Sequence, residues 1–343
     1  MEREALLRKA VGPLLRWYDA NARDLPWRRT RDPYRVWVSE IMLQQTRVEA
    51  AIPYYERFLE SFPTLQALAD APEERLLKLW EGLGYYSRAR NLQKAARELA
   101  ARGGFPHTAR ELRELPGIGD YTAGAVASIA FGEPEPAVDG NALRVRARLF
   151  ADPAPIDAPE TKRRAAAELR AVLETLPRAD VGAFNQALMD LGASVCVPNG
   201  APLCGSCPIA AQCEARRRGV ERDLPQKRAK KPRRVEDRTV FALVWQGRLG
   251  LRKRPPRGLL AGMWELPSVD GALDERQARE ALRAWGVDAP PQRLPDARHV
   301  FTHVEWRMRV YRAEGRAEGF FWATKEELAR GYALPSAFPK IDF

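Results

Sequence analysis

The hydrophobic period of this 343-residue chain changes once, near residue 230, and that change limits the folds open to it. Upstream, IPYYERFLESF, EERLLKLWEGL, NLQKAARELAARG and ETKRRAAAELRAVLETL carry apolar residues at three- and four-residue spacing, separated by Pro- or Gly-containing breaks. That pattern is an all-α region. Downstream, RTVFALVWQGRLGLRKR reads as a two-stranded hairpin, DERQAREALRAWGV as one helix, and RHVFTHVEWRMRVYRAE as long strands. The second region is therefore α+β. A chain of this length exceeds the usual single core, in keeping with more than one domain.

Charge is concentrated between the two regions. From 216 to 234 there are ten Lys/Arg against two acids, Glu221 and Asp223, so +8 of the net +11 sits in this stretch. Pro225 and Pro232, within LPQKRAKKPRR, make it an extended linker, either a solvated tether or an arm that contacts phosphates. The expected organisation is a helical region over 1–222, a basic linker over 223–237 and an α+β domain over 238–343. Apolar runs such as 123–131 fall far short of the ~20 residues that span a bilayer, and MEREALLRKA lacks the apolar core of a signal peptide. A soluble, cytoplasmic protein is expected.

All four cysteines, Cys196, Cys204, Cys207 and Cys213, lie within CVPNGAPLCGSCPIAAQC. Such crowding in a cytosolic chain suits four thiolates on a metal centre better than disulfides. The spacing alone accepts either zinc or an iron–sulfur cluster. In LPGIGDYTAGA (115–125), Gly117 and Gly119 separate a short helix end from a new helix. The first N–H groups of a helix lack intrahelical partners, and glycines let a phosphate approach them, although a mere tight turn would use the same residues. Together with the cysteine loop and the basic stretch, this corner points to nucleic acid.

LPGIGDYTAGA, followed by AVDGN (137–141) and the four-cysteine loop, resembles the helix-hairpin-helix DNA glycosylases that hold a [4Fe–4S] cluster. LPWRRTRDPYRVWVSEIMLQQT (25–46), GLGYYSRARN (82–91) and FNQALMDLGA (184–193) narrow the resemblance to the adenine DNA glycosylases of the MutY type. One departure is seven residues, rather than six, between the first two cysteines. The resemblance implies a multi-domain protein: an all-α helix-hairpin-helix glycosylase domain (hairpin near 111–130, cluster loop 196–213), followed by an α+β Nudix-like C-terminal domain. It also implies a monomer, associated with the nucleoid, that acts on double-stranded DNA containing A:8-oxoguanine or A:G mispairs. The target adenine swings out of the duplex before its N-glycosidic bond is cut.

The same resemblance assigns the site. Glu40, in VSEIMLQQT, matches the general acid, and apolar neighbours would keep it protonated; taken alone, it would read as a helix-surface charge. Asp139, in AVDGN, matches the carboxylate that stabilises the sugar cation or captures it covalently, and would also serve as a helix N-cap. Tyr121 stands where lyase-competent relatives carry a Schiff-base lysine, so base removal without strand cleavage is expected. Tyr121 and Asn141 are expected to hydrogen-bond around Asp139 and the adenine. Arg23, Trp27, Arg28, Leu43 and Gln186 match the adenine pocket. Gln45 and Tyr85 match residues that wedge into the base stack beside the oxidised guanine.

In the C-terminal region, REALRAWGV (279–287) matches the Nudix helix but has Arg283 and Ala284 in place of two metal-binding glutamates, which argues against nucleoside-diphosphate hydrolysis. Phe301, Thr302 and His303 match the family's loop that reads oxidised guanine; as one continuous strand they would instead include a core Phe301. Two rivals are a bifunctional glycosylase/lyase, disfavoured by Tyr121, and a non-catalytic DNA-binding protein, disfavoured by the pairing of Glu40 with Asp139.

Overall fold

The computed structural model describes residues 2–229 and 232–343. The chain divides into two compact units, Met1–Asp70 with Asn91–Ala229, and Ala71–Arg90 with Lys230–Phe343.

The first unit is helical, as its periodicity requires. The helix Pro33–Leu43 starts where the Asp32 carboxylate accepts the Arg35 N–H at 2.8 Å, with proline in the first turn supplying a helical φ. Val36 to Met42 are all buried, so this helix is enclosed on every side and carries Glu40 into the interior. The helices Glu2–Asn21, Gly140–Leu149, Pro159–Leu173 and Arg178–Ser194 contribute Leu14, Val145, Leu173, Phe184 and Leu191 to one core.

A tight turn joins the four-residue helix Ala109–Leu112 to the helix Asp120–Phe131. Gly117 has φ +76°, and a Cβ there would stand 2.6 Å from the Asn91 Cβ, so only glycine fits. Gly119 is the N-cap in extended backbone, and no side chain caps this helix.

The division between units falls inside the expected linker, and part of that linker is bound rather than free. The Gln226 carbonyl accepts the Ile156 N–H at 3.0 Å, and the Asp157 carboxylate accepts the Arg228 N–H at 3.0 Å. Lys230 and Lys231 lie outside the described residues, and the first strand already begins at Arg234.

Segment 71–90 also departs from expectation. Its helical pattern assigns it to the first region, yet it groups with the second. Polar bonds explain this: the Lys78 ammonium donates to the carbonyls of Leu328 (2.7 Å) and Tyr332 (3.4 Å), and Glu81 accepts the Leu334 N–H (2.8 Å).

The rest of the second unit is built on seven strands: β1 (Arg234–Trp245), β2 (Arg248–Lys253), β3 (Trp264–Glu265), β4 (Ser268–Asp270), β5 (Gln292–Val300), β6 (Val304–Glu314) and β7 (Phe321–Ala323). The main order is β3-β2-β1-β6-β5, with β4 on β1 and β7 on β2. Among the described residues, only β1 and β6 pair in parallel. Gln246 and Gly247, both with positive φ, turn the β1–β2 hairpin in the sense that matches strand twist. The helix Glu275–Ala284 lays Ala278 and Leu282 on Phe241 and Tyr311, and Val240, Leu251 and Trp306 belong to a second core cluster.

RHVFTHVEW is not one strand. β5 ends at Val300, β6 starts at Val304, and the Phe301 N–H donates to the Val304 carbonyl at 2.8 Å across the turn. Among the described residues, no helix is long and apolar enough to cross a membrane.

Candidate active site

In the first unit, a cavity of about 200 Å³ is lined by Glu40, Tyr121, Asp139 and Asn141 and, around them, by Arg23, Trp27, Arg28, Leu43 and Gln186. The two groups of residues that the sequence singles out for catalysis and for adenine thus share one space.

Glu40 is only 5% exposed. Burial disfavours its charged form and pushes its pKa up to about 7. The Asp139 charge adds to that rise, while a hydrogen bond from the Tyr121 hydroxyl at 2.7 Å and the Arg28 charge oppose it. Tyr121 reaches Glu40 from the first turn of the helix Asp120–Phe131, and its hydroxyl oxygen lies 3.7 Å from Met189 Sδ. Its hydroxyl therefore serves Glu40 rather than Asp139, contrary to expectation. Burial and the two nearby carboxylates hold its own pKa well above the usual phenol range.

Asp139 is the N-cap of the helix Gly140–Leu149. Its Oδ1 accepts the Ala142 N–H at 2.7 Å, and its Oδ2 accepts the Asn141 amide at 2.7 Å. Burial raises its pKa, and those donors pull it back toward the carboxylate form. Asn141 is held in turn by the Arg144 guanidinium (2.7 Å), which also donates to the carbonyls of Gly192 (2.6 Å) and Cys196 (2.7 Å). A continuous chain of hydrogen bonds therefore joins Asp139 to the first cysteine. Gly192 permits the close approach, because a Cβ there would stand 2.5 Å from the Asn141 Cβ.

Asp190 was not apparent as a site residue from sequence, although it lies in FNQALMDLGA. It is 1% exposed and accepts from Arg23 Nε (2.8 Å) and Nη2 (2.6 Å), from Arg28 Nη2 (2.8 Å) and from Arg28 Nη1. The two arginines of the cavity are thus aimed by one buried carboxylate, whose pKa they hold below the usual range against the effect of burial. The available signal was an acid four residues after Gln186, one helical turn along. Trp27 is buried and packs edge-on to Tyr55, with centroids 5.3 Å apart. Gln186 donates to the Gly182 carbonyl at 3.3 Å.

Gln45 is exposed and has φ +58°, a left-handed conformation that non-glycine residues seldom adopt. Tyr85, in the second unit, shares the habit, with φ +49° and 46% exposure. Its hydroxyl lies 3.0 Å from Thr302 Oγ1. In the β5–β6 turn, Phe301 is half-buried against Trp306 (centroids 4.9 Å) and His299 (4.5 Å), while Thr302 and His303 are exposed. Phe301 therefore anchors the turn that displays the other two. His303 borders a groove that also contains Arg234, Arg238 and Arg254.

Cys196, Cys204, Cys207 and Cys213 are unbridged and line one cavity. Burial pushes the Cys207 thiol up to about 11, and also raises Cys204 and Cys213. Arg148 donates to Cys196 Sγ at 3.2 Å, and is fixed by the carbonyls of Val197 and Leu224, both at 2.9 Å. Four thiols lining one cavity beside the buried Arg148 guanidinium suit, in donor chemistry, a centre of net negative charge held by thiolates. Among the described residues, no group of three or more His, Cys, Asp or Glu side chains closes on a single metal ion.

A model of the HhH-GPD superfamily of base excision DNA repair proteins matches residues 38–171, and a NUDIX domain model matches 239–341. The chain is 38% identical to the adenine DNA glycosylase of Homo sapiens, with 96% of this chain and 72% of that protein covered. It is 36% identical to the adenine DNA glycosylase of Rattus norvegicus, with 99% and 81% covered. Among solved structures, a thermostable thymine-DNA glycosylase superposes with a TM-score of 0.56 at 28% identity, covering 62% of this chain and 97% of that one. The chain belongs to the adenine DNA glycosylase family, within the HhH-GPD superfamily of base excision repair proteins.

Proposed function

We propose that this adenine DNA glycosylase excises adenine paired with 8-oxoguanine, or with guanine, after flipping the adenine out of the duplex. The observation that carries the reading is the pairing of Glu40 with Asp139 in one cavity. A carboxyl with a pKa of about 7 keeps its proton in about half of the molecules at neutral pH, and the protonated form donates to a ring nitrogen of the departing adenine. Asp139, held toward its ionised form by the Ala142 N–H and the Asn141 amide, stabilises the sugar cation. The Arg23 and Arg28 guanidiniums, aimed by Asp190, and the Gln186 amide offer polar partners to the base edge.

With Tyr121 in place of an amine, no Schiff base forms and the strand stays intact. Gln45 and Tyr85 fill the vacated stack, and Thr302 accepts from the N7–H that 8-oxoguanine has and guanine lacks. Cys196, Cys204, Cys207 and Cys213, which line one cavity, would hold a [4Fe–4S] cluster, and when bound it would cross-link their loop. The protein works as a monomer on nucleoid DNA in the cytoplasm.

Single-turnover excision from duplexes containing A:8-oxoguanine, A:G and A:T is the test. The expected order of rates is the order given, with no borohydride-trapped adduct on any duplex. Equal rates on the first two would refute the proposed preference, and a trapped adduct would refute hydrolysis by a monofunctional enzyme.

A further inference from the structure

We propose that Lys78 and Glu81 are positioning residues for mispair reading, fastening segment 71–90 to residues 328–334 and so holding Tyr85 against Thr302. The proposal rests on the reading of Tyr85, Thr302 and His303 as contacts to the base opposite the adenine.

An ammonium group has three protons to place. Those of Lys78 have three oxygens in reach: Glu81 Oε2 at 2.6 Å, the Leu328 carbonyl at 2.7 Å and the Tyr332 carbonyl at 3.4 Å. Leu328 lies in the last turn of the helix Lys325–Arg330, where carbonyls lack helical partners. The other oxygen of Glu81 accepts the Leu334 N–H at 2.8 Å. An oppositely charged pair, 20% and 30% exposed, thus grips three backbone groups within seven residues.

Between this grip and Tyr85 the backbone is braced. Trp80 Nε1 donates to the Gly84 carbonyl at 3.1 Å, and Arg88 Nη2 donates to the carbonyls of Leu83 (3.1 Å) and Gly84 (3.2 Å). Gly82, Gly84 and Tyr85 all have positive φ. A tyrosine in that conformation persists only where its surroundings hold it. The final contact is Tyr85 Oη to Thr302 Oγ1 at 3.0 Å. A shift at 328–334 therefore moves the side chain that wedges relative to the one that reads.

The test uses full-length protein and compares single-turnover rates on A:8-oxoguanine and A:G duplexes. Lys78→Met and Glu81→Ala are expected to lower the ratio of the two rates about tenfold while leaving A:G excision within about twofold. Lys78→Arg, which keeps the charge and its donors, is expected to retain the ratio, and hydrogen exchange at the Leu334 amide is expected to quicken in Glu81→Ala. Thermal melting of each variant identifies any that fail to fold. Equal losses on both duplexes in a folded variant would mean that the pair is only a structural staple, which overturns the proposal. An unchanged ratio in Lys78→Met and Glu81→Ala, beside a lowered ratio in Thr302→Val or His303→Ala, also overturns it and leaves the reading of the turn intact. If all four keep the ratio, the reading itself fails and takes this proposal with it.

Discussion

The Tyr121 hydroxyl donates to the Glu40 carboxylate at 2.7 Å, inside a cavity whose burial otherwise favours the protonated acid. The bond therefore lowers a pKa that burial has raised, and about 7 is the balance. If Glu40 must carry its proton to work, the single-turnover rate falls as pH rises through about 7. Tyr121→Phe removes a donor that favours the charged form, so the midpoint of that fall moves to higher pH, even with a slower maximum. A midpoint that stays put or moves down would show that some other group titrates.

The same shift makes a stability prediction. Glu40 binds its proton more tightly in the folded than in the unfolded chain, so the folded state holds an extra proton between its ordinary value of 4.5 and about 7. Stability contributed by this group is lost as pH rises through that window, by up to about 3 kcal/mol above it. Glu40→Gln cannot ionise. It is expected to melt higher than the parent at about pH 8, to lose that advantage at about pH 4, and to be nearly devoid of excision activity while still binding duplex. Thermal melts at the two pH values decide, and a stabilisation that did not depend on pH would contradict the assignment.

Asp190 gives the cavity its two aimed cations. Asp190→Asn removes the charge that Arg23 and Arg28 share, leaving Arg28, at 12% side-chain exposure, without an acidic partner in this pair. Breaking such a buried arrangement costs about 3–5 kcal/mol. The melting temperature is expected to drop accordingly, and excision to fall on A:8-oxoguanine and A:G duplexes alike, because under the proposed function this cavity takes the adenine common to both. A loss confined to one duplex would place Asp190 in partner recognition instead.

How much of this was legible in the sequence depends on the kind of residue. Helical and strand periods announced the two fold classes, because a buried face imposes its repeat on the chain. Glu40, Asp139 and Tyr121, singled out by motif matches, line a single cavity with Arg23, Trp27, Arg28, Leu43 and Gln186. Asp190 and Arg144 were not apparent, since each acts through contacts between segments distant in sequence: Asp190 with 23 and 28, Arg144 with 192 and 196. Sequence alone places segment 71–90 in the first region for the same reason. Its amphipathic period reports that one face is covered but not by what, and the backbone that Lys78 and Glu81 hold, at 328–334, lies some 250 residues further on.

Arg144 tests whether the cysteine loop and Asp139 are joined. Its guanidinium holds Asn141 Oδ1 and the Cys196 carbonyl at once. Arg144→Leu is expected to slow excision at least tenfold, as misorientation of one catalytic group commonly does, while duplex affinity changes less. The parent protein is expected to contain about four iron and four sulfide per chain. The variant is expected to lose iron faster on exposure to a chelator. Full activity with unchanged iron retention would show that the chain of hydrogen bonds carries no coupling.

Truncation near residue 235 is the obvious way to ask what the C-terminal region contributes, and the fold predicts a side effect. Residues 236–343 supply the Leu328 and Tyr332 carbonyls and the Leu334 N–H that Lys78 and Glu81 hold. Without them, the pair loses these three backbone partners, and an ion pair at the surface, such as the one at 2.6 Å between Lys78 and Glu81, is worth at most about 1 kcal/mol. Segment 71–90 then loses its grip and, with it, the setting of Tyr85. Trypsin is expected to cut within 71–90, at Arg75, Lys78, Arg88 or Arg90, faster in the truncated protein than in the full chain. The truncated enzyme is expected still to release adenine from A:G, with its preference for A:8-oxoguanine largely gone. That loss would combine the absence of Thr302 and His303 with the loosening of Tyr85, whereas Thr302→Val and His303→Ala in the intact chain report on the turn alone. Equal cleavage of 71–90 in both proteins would show that this segment is held without the C-terminal region, and the effect of truncation would then belong to the turn.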